Sequence, residues 1–142
     1  LVFGSAIGSG NYSAPSGEVV WCEKAFSSNS LYANGFSDVA DTTMNLEADT
    51  NGKFPKGAKA FMFAGEIRDS ASSTSDGYLF FRRDTAGYVA AWVSPAGLAN
   101  DEYARASGTS PCDANGDYSY KIEASGSATT DVYLNYSGVQ LR

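Results

Sequence analysis

The chain has 142 residues, of which 43% are hydrophobic and 13% aromatic, so it is long and apolar enough for one globular domain with its own core. Its 10 basic and 16 acidic side chains give a net charge of −6, which disfavours both nucleic acid and an anionic membrane surface as partners. The absence of histidine excludes Ser-His-Asp and Cys-His catalytic sets and His-ligated zinc. No run of about 18 apolar residues exists, so we predict no membrane insertion.

The N-terminal segment differs in composition from the rest of the chain. After an apolar Leu1-Val2-Phe3, glycine, serine, asparagine and proline occupy most positions up to residue 17. This composition predicts an extended Gly/Ser-rich arm or connector over 1–17. Residues 18–142 are predicted to form a single β-sandwich domain.

From Glu18 onward, apolar and polar residues alternate with a period of two, which is typical of half-buried strands. Turn-forming clusters separate the apolar runs, at 49–53, 70–77, 84–87, 113–116 and 124–130. The strand residues predicted to face the core are Trp21, Phe61, Phe63, Ile67, Leu79, Phe81, Tyr88, Ala90, Trp92, Tyr118, Tyr120, Ile122, Val132, Leu134 and Tyr136. Residues 96–106 are the one helix candidate, and they are either one short helix or a loop. The pattern predicts an all-β fold, an antiparallel β-sandwich of jelly-roll-like form.

One turn cluster has the spacing of a cation loop. Asp113, Asn115 and Asp117 carry oxygen ligands at alternate positions, as the first three ligands of a calcium loop do. The glycine precedes the third ligand instead of following it, and the twelfth position is Ala124 where a glutamate is needed. We therefore favour a tight turn capped by Asp113, and calcium is the only cofactor that the sequence suggests.

Four tyrosines are candidates for ligand contacts. Aromatic faces with polar neighbours stack against sugar rings, and the tyrosines predicted to point outward are Tyr32, Tyr78, Tyr103 and Tyr133. Each one taken alone is more often a core residue in a sandwich. The hypothesis is a surface that binds a cell-surface glycan.

The cysteines and the strand carboxylates are the remaining candidates for metal binding or catalysis. Cys22 and Cys112 are too few for a Cys₄ metal site, and they either form a disulfide or are two buried thiols. The carboxylates that could act in glycoside hydrolysis are Glu66, Asp69, Asp76 and Asp84. A small sandwich has little room for a deep cleft, so we predict that the chain is not an enzyme.

The chain resembles a recurring module over residues 54–142. Pro55 to Ala60 opens a strand, Arg68-Asp69 ends it, and Gly138 to Leu141 closes the last strand. In these features the chain is similar to the C-terminal head domains of bacteriophage tail fibres and of some bacterial collagen-like surface proteins. That resemblance implies a trimeric β-sandwich head at a virion surface or outside the cell, acting in assembly or attachment.

The leading hypothesis is a non-enzymatic structural or adhesive module of a virion fibre or extracellular appendage. Such a module self-assembles as a homo-oligomer, a trimer or a fibre, and has a receptor-binding surface. The alternative is a monomeric carbohydrate-binding module or lectin, with calcium at Asp113, Asn115 and Asp117. Light scattering separates the two, because only the first hypothesis requires an oligomer.

Overall fold

The computed structural model describes residues 18–71 and 77–141, so the arm predicted at 1–17 lies outside the described residues. The described part of the chain contains eight strands and one short helix. In chain order they are β1 (Val19–Phe36), β2 (Val39–Asn45), α1 (Leu46–Asp49), β3 (Ala60–Asp69), β4 (Tyr78–Arg82), β5 (Ala91–Val93), β6 (Tyr103–Pro111), β7 (Asp117–Glu123) and β8 (Thr130–Gln140).

The strands form two four-stranded antiparallel sheets that pack face to face. The first sheet has the order β1-β8-β3-β6, and the second has the order β2-β7-β4-β5. The first strand therefore pairs with the eighth, the second with the seventh, the third with the sixth and the fourth with the fifth. This nesting is the jelly-roll arrangement, and it confirms the predicted antiparallel β-sandwich.

The core lies between the two sheets and is strongly aromatic. The predicted inward residues of β3, β4, β7 and β8 are buried, because alternate side chains of each strand point to the same face. They are Phe61, Phe63, Ile67, Leu79, Phe81, Tyr118, Tyr120, Ile122, Val132, Leu134 and Tyr136. Five aromatic rings form one connected cluster, with centroid separations between 4.4 and 6.0 Å among Phe61, Phe63, Phe81, Tyr118 and Tyr136.

The core assignment was wrong for both tryptophans, for Tyr88 and for Ala90, which is exposed. Trp21 is 62% exposed, Trp92 is 57% exposed and Tyr88 is 91% exposed. Beside each tryptophan the neighbouring valine faces the core instead, Val20 next to Trp21 and Val93 next to Trp92. Tyr88 and Ala90 lie outside the strands, in the segment before β5. A shift of one residue in the phase of the alternation reverses every side chain, so a strand with apolar residues on both faces leaves its phase undetermined.

Two elements differ from those predicted. Residues 96–101 form turns, and Tyr103–Pro111 is strand β6 although Ser and Gly are frequent in it. Helix α1 was not predicted, and its Asn45 cap accepts a 2.7 Å hydrogen bond from the Ala48 N–H. Among the described residues, no helix has the length and apolar character that crossing a bilayer demands.

Candidate functional site

Three of the four candidate tyrosines meet on the outer face of the first sheet. Tyr32 of β1 lies directly opposite Tyr133 of β8, and their ring centroids are 5.1 Å apart in an edge-to-face arrangement. Tyr103 of β6 approaches across β3, with its centroid 6.2 Å from that of Tyr133. Tyr32 is 47% exposed and the other two are half-buried. We call Tyr32, Tyr103 and Tyr133 the tyrosine platform.

Two ion pairs border the tyrosine platform. The guanidinium carbons of Arg68 and Arg105 lie 5.2 and 5.8 Å from the Tyr103 ring centroid. Arg68 Nε donates a 2.8 Å hydrogen bond to Asp131, and Arg105 Nε donates a 2.9 Å hydrogen bond to Glu66. Each arginine thus has a carboxylate partner in the adjacent strand, so the border carries hydrogen-bonding groups and little net charge.

The surroundings of Tyr133 and of the bordering Arg68 raise the pKa of both groups. The hydrogen bond to Asp131 raises the pKa of Arg68. Desolvation and the neighbouring Tyr103 raise the pKa of Tyr133, whose hydroxyl donates to the Asn34 side chain. Both groups therefore keep their protons at neutral pH.

The position of Tyr32 depends on a bulge in β1. From Ser27 to Tyr32, β1 advances by five residues. The segment of β8 that pairs with it advances by only two, from Asn135 to Tyr133. The extra residues bend the strand away from the ladder and return it with Tyr32 beside Tyr133. Bulges of this kind re-aim a side chain, and this one places a tyrosine on the outer face.

A buried carboxylate holds the bulge in place. Asp49 of α1 accepts a 2.6 Å hydrogen bond from the Ser28 hydroxyl and a 2.8 Å hydrogen bond from the Ser30 N–H. The Ser28 oxygen also accepts a 2.8 Å bond from the Leu31 N–H. These bonds direct Leu31 into the core, where it is fully buried, and the next residue outward.

A shallow depression adjoins the tyrosine platform on the same sheet face. Its volume is about 280 Å³, and Glu66 and Arg105 belong to its lining. The other lining residues have small side chains, apart from one asparagine. They are Ala64, Gly65, Ala106, Ser107 and Asn135. Aromatic surface and hydrogen-bonding side chains are therefore adjacent on one open face.

Trp21 adds a fourth aromatic residue to the outer face of the first sheet. It lies opposite Gly138 of β8, and a Cβ atom at that glycine would be 3.0 Å from Cε3 of the indole. Met62 lies on the other side of the same glycine. The missing side chain at Gly138 thus makes room for the indole ring.

The fourth candidate, Tyr78, belongs to the opposite face of the molecule. Its ring stacks on Phe80 at a centroid separation of 5.3 Å and lies 6.0 Å from Trp92. The ion-paired Lys121 and Glu123 lie opposite Phe80 and Tyr78 in the ladder with β7. Because β4 is part of the second sheet, Tyr78 cannot join the tyrosine platform.

The 113–117 loop has the hydrogen bonds of a capped turn. Asp113 Oδ1 accepts bonds of 2.8 and 3.0 Å from the N–H groups of Asn115 and Asp117. Asp117 Oδ1 accepts a 3.0 Å bond from Asn45, and burial together with Asp113 raises the pKa of Asp117. Within 18–71 and 77–141, no group of three or more His, Cys, Asp or Glu side chains could hold a metal ion. The capping bonds are those expected for a turn, and calcium at Asp113, Asn115 and Asp117 stays a prediction.

The two cysteines are thiols in the structure. Cys22 is half-buried in β1, and Cys112 is buried just beyond the end of β6, where its N–H donates to the Lys59 carbonyl. Two strands lie between β1 and β6, so about 14 Å of sheet separates them. That separation is roughly twice the Cα distance that a disulfide spans. Burial raises the pKa of Cys22, against a smaller opposing effect of Lys53.

The carboxylates considered for catalysis are dispersed over the molecule. Glu66 is paired with Arg105, and Asp84 accepts a 2.9 Å hydrogen bond from Arg83 at the end of β4. Asp69 is fully buried beneath the loop before β8, and Asp76 lies outside the described residues. The described members of this set therefore have structural partners and do not converge on one cleft.

Sequence reasoning missed the polar border and the exposed indole. Glu66 and Arg105 are 39 residues apart in the sequence and meet only because β3 and β6 are neighbours. The one sequence signal at Trp21 was that its neighbour Val20 is also apolar and could face the core. In the structure Val20 is buried, so Trp21 points outward.

No family model matches the chain, and no curated protein matches it. The grounds for a functional proposal are therefore the jelly-roll fold and the side chains on its two outer faces.

Proposed function

We propose that this chain is a non-enzymatic adhesive β-sandwich module, carried on a virion fibre or an extracellular appendage, that attaches to a cell-surface glycan. The observation that carries the proposal is the tyrosine platform, in which Tyr32, Tyr103 and Tyr133 come from three strands to one exposed face. The glycan binds on this face of the first sheet.

The chemistry of the face suits a saccharide. A sugar ring has an apolar C–H face that packs on an aromatic ring, and hydroxyl groups around its rim that exchange hydrogen bonds. The tyrosine platform supplies the aromatic surface, while Glu66, Arg105 and Asn135 line the depression beside it. Because Arg105 and Glu66 already orient each other, little further side-chain conformational freedom is lost when a ligand binds.

The charge of the face favours a neutral ligand. Single-stranded nucleic acid also stacks on aromatic side chains, but it requires a positive groove along the backbone. Here Arg68 and Arg105 are matched by Asp131 and Glu66, and the whole chain carries a net charge of −6. A neutral hexose or N-acetylhexosamine fits this balance better than a phosphate chain.

The fold is compatible with the proposal and does not decide it. Jelly rolls occur in viral capsid proteins and in lectins, so an attachment module is an ordinary use of the fold. Function is carried by sites and not by folds, and this support is by analogy. The shallow depression suits reversible attachment, because a ligand can enter it without a lid movement.

The alternative function is a monomeric carbohydrate-binding module that uses the same face. Both functions place the glycan on the tyrosine platform, and they differ in whether the chain assembles. The oligomeric state in solution therefore separates them, and glycan binding by itself does not.

The proposal is tested first by probing a glycan array with the whole chain. The neutral glycan that binds most strongly is then titrated by calorimetry. We expect Tyr133→Ala to weaken binding by at least tenfold, about 1.4 kcal/mol, because Tyr133 contacts both other rings of the tyrosine platform. Tyr133→Phe keeps the ring and should retain most of the affinity.

Tyr88→Ala is the matched control, because Tyr88 is 91% exposed and lies away from the first sheet's outer face, between β4 and β5. Thermal unfolding of each variant confirms that the fold is intact. Equal affinity of the wild type and Tyr133→Ala, or no binding to any glycan on the array, would contradict the proposal.

A further inference from the structure

We propose that two copies of this chain associate edge to edge through β6, which joins their first sheets into one eight-stranded sheet about a two-fold axis. Strand β6 is the last strand of the first sheet. Its nine residues pair with β3 in unbroken register, from Ala60 opposite Pro111 to Arg68 opposite Tyr103. A regular strand with one unpaired side is a template for another chain.

The other three sheet edges are obstructed. The ladder of β1 is interrupted at three places, and that of β2 is interrupted between Val39 and Thr42. Strand β5 has only three residues. Bulges and short length are the means by which proteins prevent strands from adding to a sheet edge. Of the four edges described, only that of β6 has neither.

The side chains of β6 allow a second strand to approach. Ser107, Gly108 and Thr109 are exposed and small, and Arg105 is the one charged residue of the strand. Strand β5 contacts β6 at the corner of the sandwich but forms its ladder with β4 alone within the described part of the chain. Among residues 18–71 and 77–141, the backbone groups on the outer side of β6 therefore have no strand partner.

Because β6 is the single open edge in the described part of the chain, the symmetry of the pairing is determined. A head-to-tail ring or fibre needs two different complementary edges on each copy, whereas a self-complementary edge closes as a two-fold dimer. A dimer is therefore expected here in place of the trimer that the resemblance implies. An axis through Ser107 places Arg105 of one copy opposite Thr109 of the other, which keeps the two arginines apart.

The dimer would present two ligand faces on the same side. The outer faces of the two first sheets become continuous, and five strand spacings, about 24 Å, would separate the two β8 strands. If the proposed glycan function holds, the dimer gains avidity on a surface that carries many glycans. The pairing itself does not depend on that function.

Sedimentation of the full chain over a wide concentration series tests the pairing, and we expect a reversible dimer. Thr109→Lys should weaken the dimer at least tenfold, because each lysine would face the partner copy's arginine. Thr109→Glu should leave it unchanged or strengthen it. Thr43→Lys, on the interrupted edge strand β2, adds the same charge at an exposed position and should have no effect.

Amide hydrogen exchange gives a second readout that needs no variant. The amides of 104–109 that point away from β3 should exchange more slowly as the concentration rises, while those of β2 should not. A chain that stays monomeric at every concentration, or a dimer unaffected by both Thr109 changes, would overturn the proposal. Loss of glycan binding with the dimer intact would count only against the proposed function.

Discussion

The hydroxyl of Tyr136 donates a 2.6 Å hydrogen bond to the buried carboxylate of Asp49, which joins β8 in the first sheet to helix α1. The same hydroxyl lies 2.8 Å from that of Tyr118 on β7, so the contact also joins the two sheets. Burial raises the pKa of Tyr136 well above its ordinary value, and the phenol keeps its proton. The core is thus held by a polar network as well as by aromatic packing.

Tyr136→Phe should therefore destabilise the protein by about 2 kcal/mol, because a buried carboxylate loses one of its donors. The ring is retained, so the change reports on the hydroxyl alone. Urea denaturation measures the free energy of unfolding. Tyr88→Phe removes the same atom from a 91% exposed side chain and should change stability little. Equal stability of the two variants would show that the Tyr136 hydroxyl contributes nothing.

Asp69 should make stability depend on pH. Burial opposes its ionisation, but hydrogen bonds from Ser125, Thr130 and the Ala71 N–H together hold its pKa below the usual value. A carboxyl with a lower pKa in the folded state stabilises above its unfolded pKa, near 3.9, and loses that contribution as the pH falls through the folded value.

Asp69→Asn should consequently be less stable than the wild type at pH 7, and the difference should narrow as the pH falls below about 4. Urea denaturation at several pH values measures it. Glu102→Gln, at an exposed carboxylate, is the control that should show little difference at any pH. A gap between wild type and Asp69→Asn that does not narrow in acid would contradict the assignment.

Gly116→Ala should be among the most damaging small substitutions in the chain. Gly116 has a φ of 88°, and a Cβ there would lie 2.6 Å from the backbone nitrogen of Gly57. Gly52 has a φ of 73° with nothing near its Cβ position. We expect Gly52→Ala to cost about 1 kcal/mol from backbone strain and Gly116→Ala clearly more, because a steric clash is added. Equal losses in denaturant would exclude the close contact.

The melting temperature should not change with calcium if the 113–117 loop is only a turn. Asp113→Ala should still lower stability by about 1 kcal/mol without calcium, because it removes two bonds to backbone N–H groups. Melting curves with excess calcium and then with chelator measure both effects. A rise with calcium that Asp117→Asn abolishes would instead establish the cation site.

The period-two alternation was sufficient to predict the fold class and most of the core. A strand with one clearly apolar face, such as the one in which Tyr118, Tyr120 and Ile122 alternate with polar residues, could be assigned to a face without coordinates. The assignment was wrong at Trp21 and Trp92, where apolar residues occupy both faces and local pattern cannot determine the phase.

The sequence by itself determined the antiparallel sandwich, the lack of any histidine-based site and a set of tyrosines on outward positions, because these depend on composition and on alternation within single strands. Only the tertiary structure decided that Tyr32, Tyr103 and Tyr133 meet while Tyr78 does not. The physical reason is that jelly-roll nesting joins strands distant in sequence, and that bulges in β1 set its register against β8. Neither the pairing partners nor the bulges leave a signal in the local sequence.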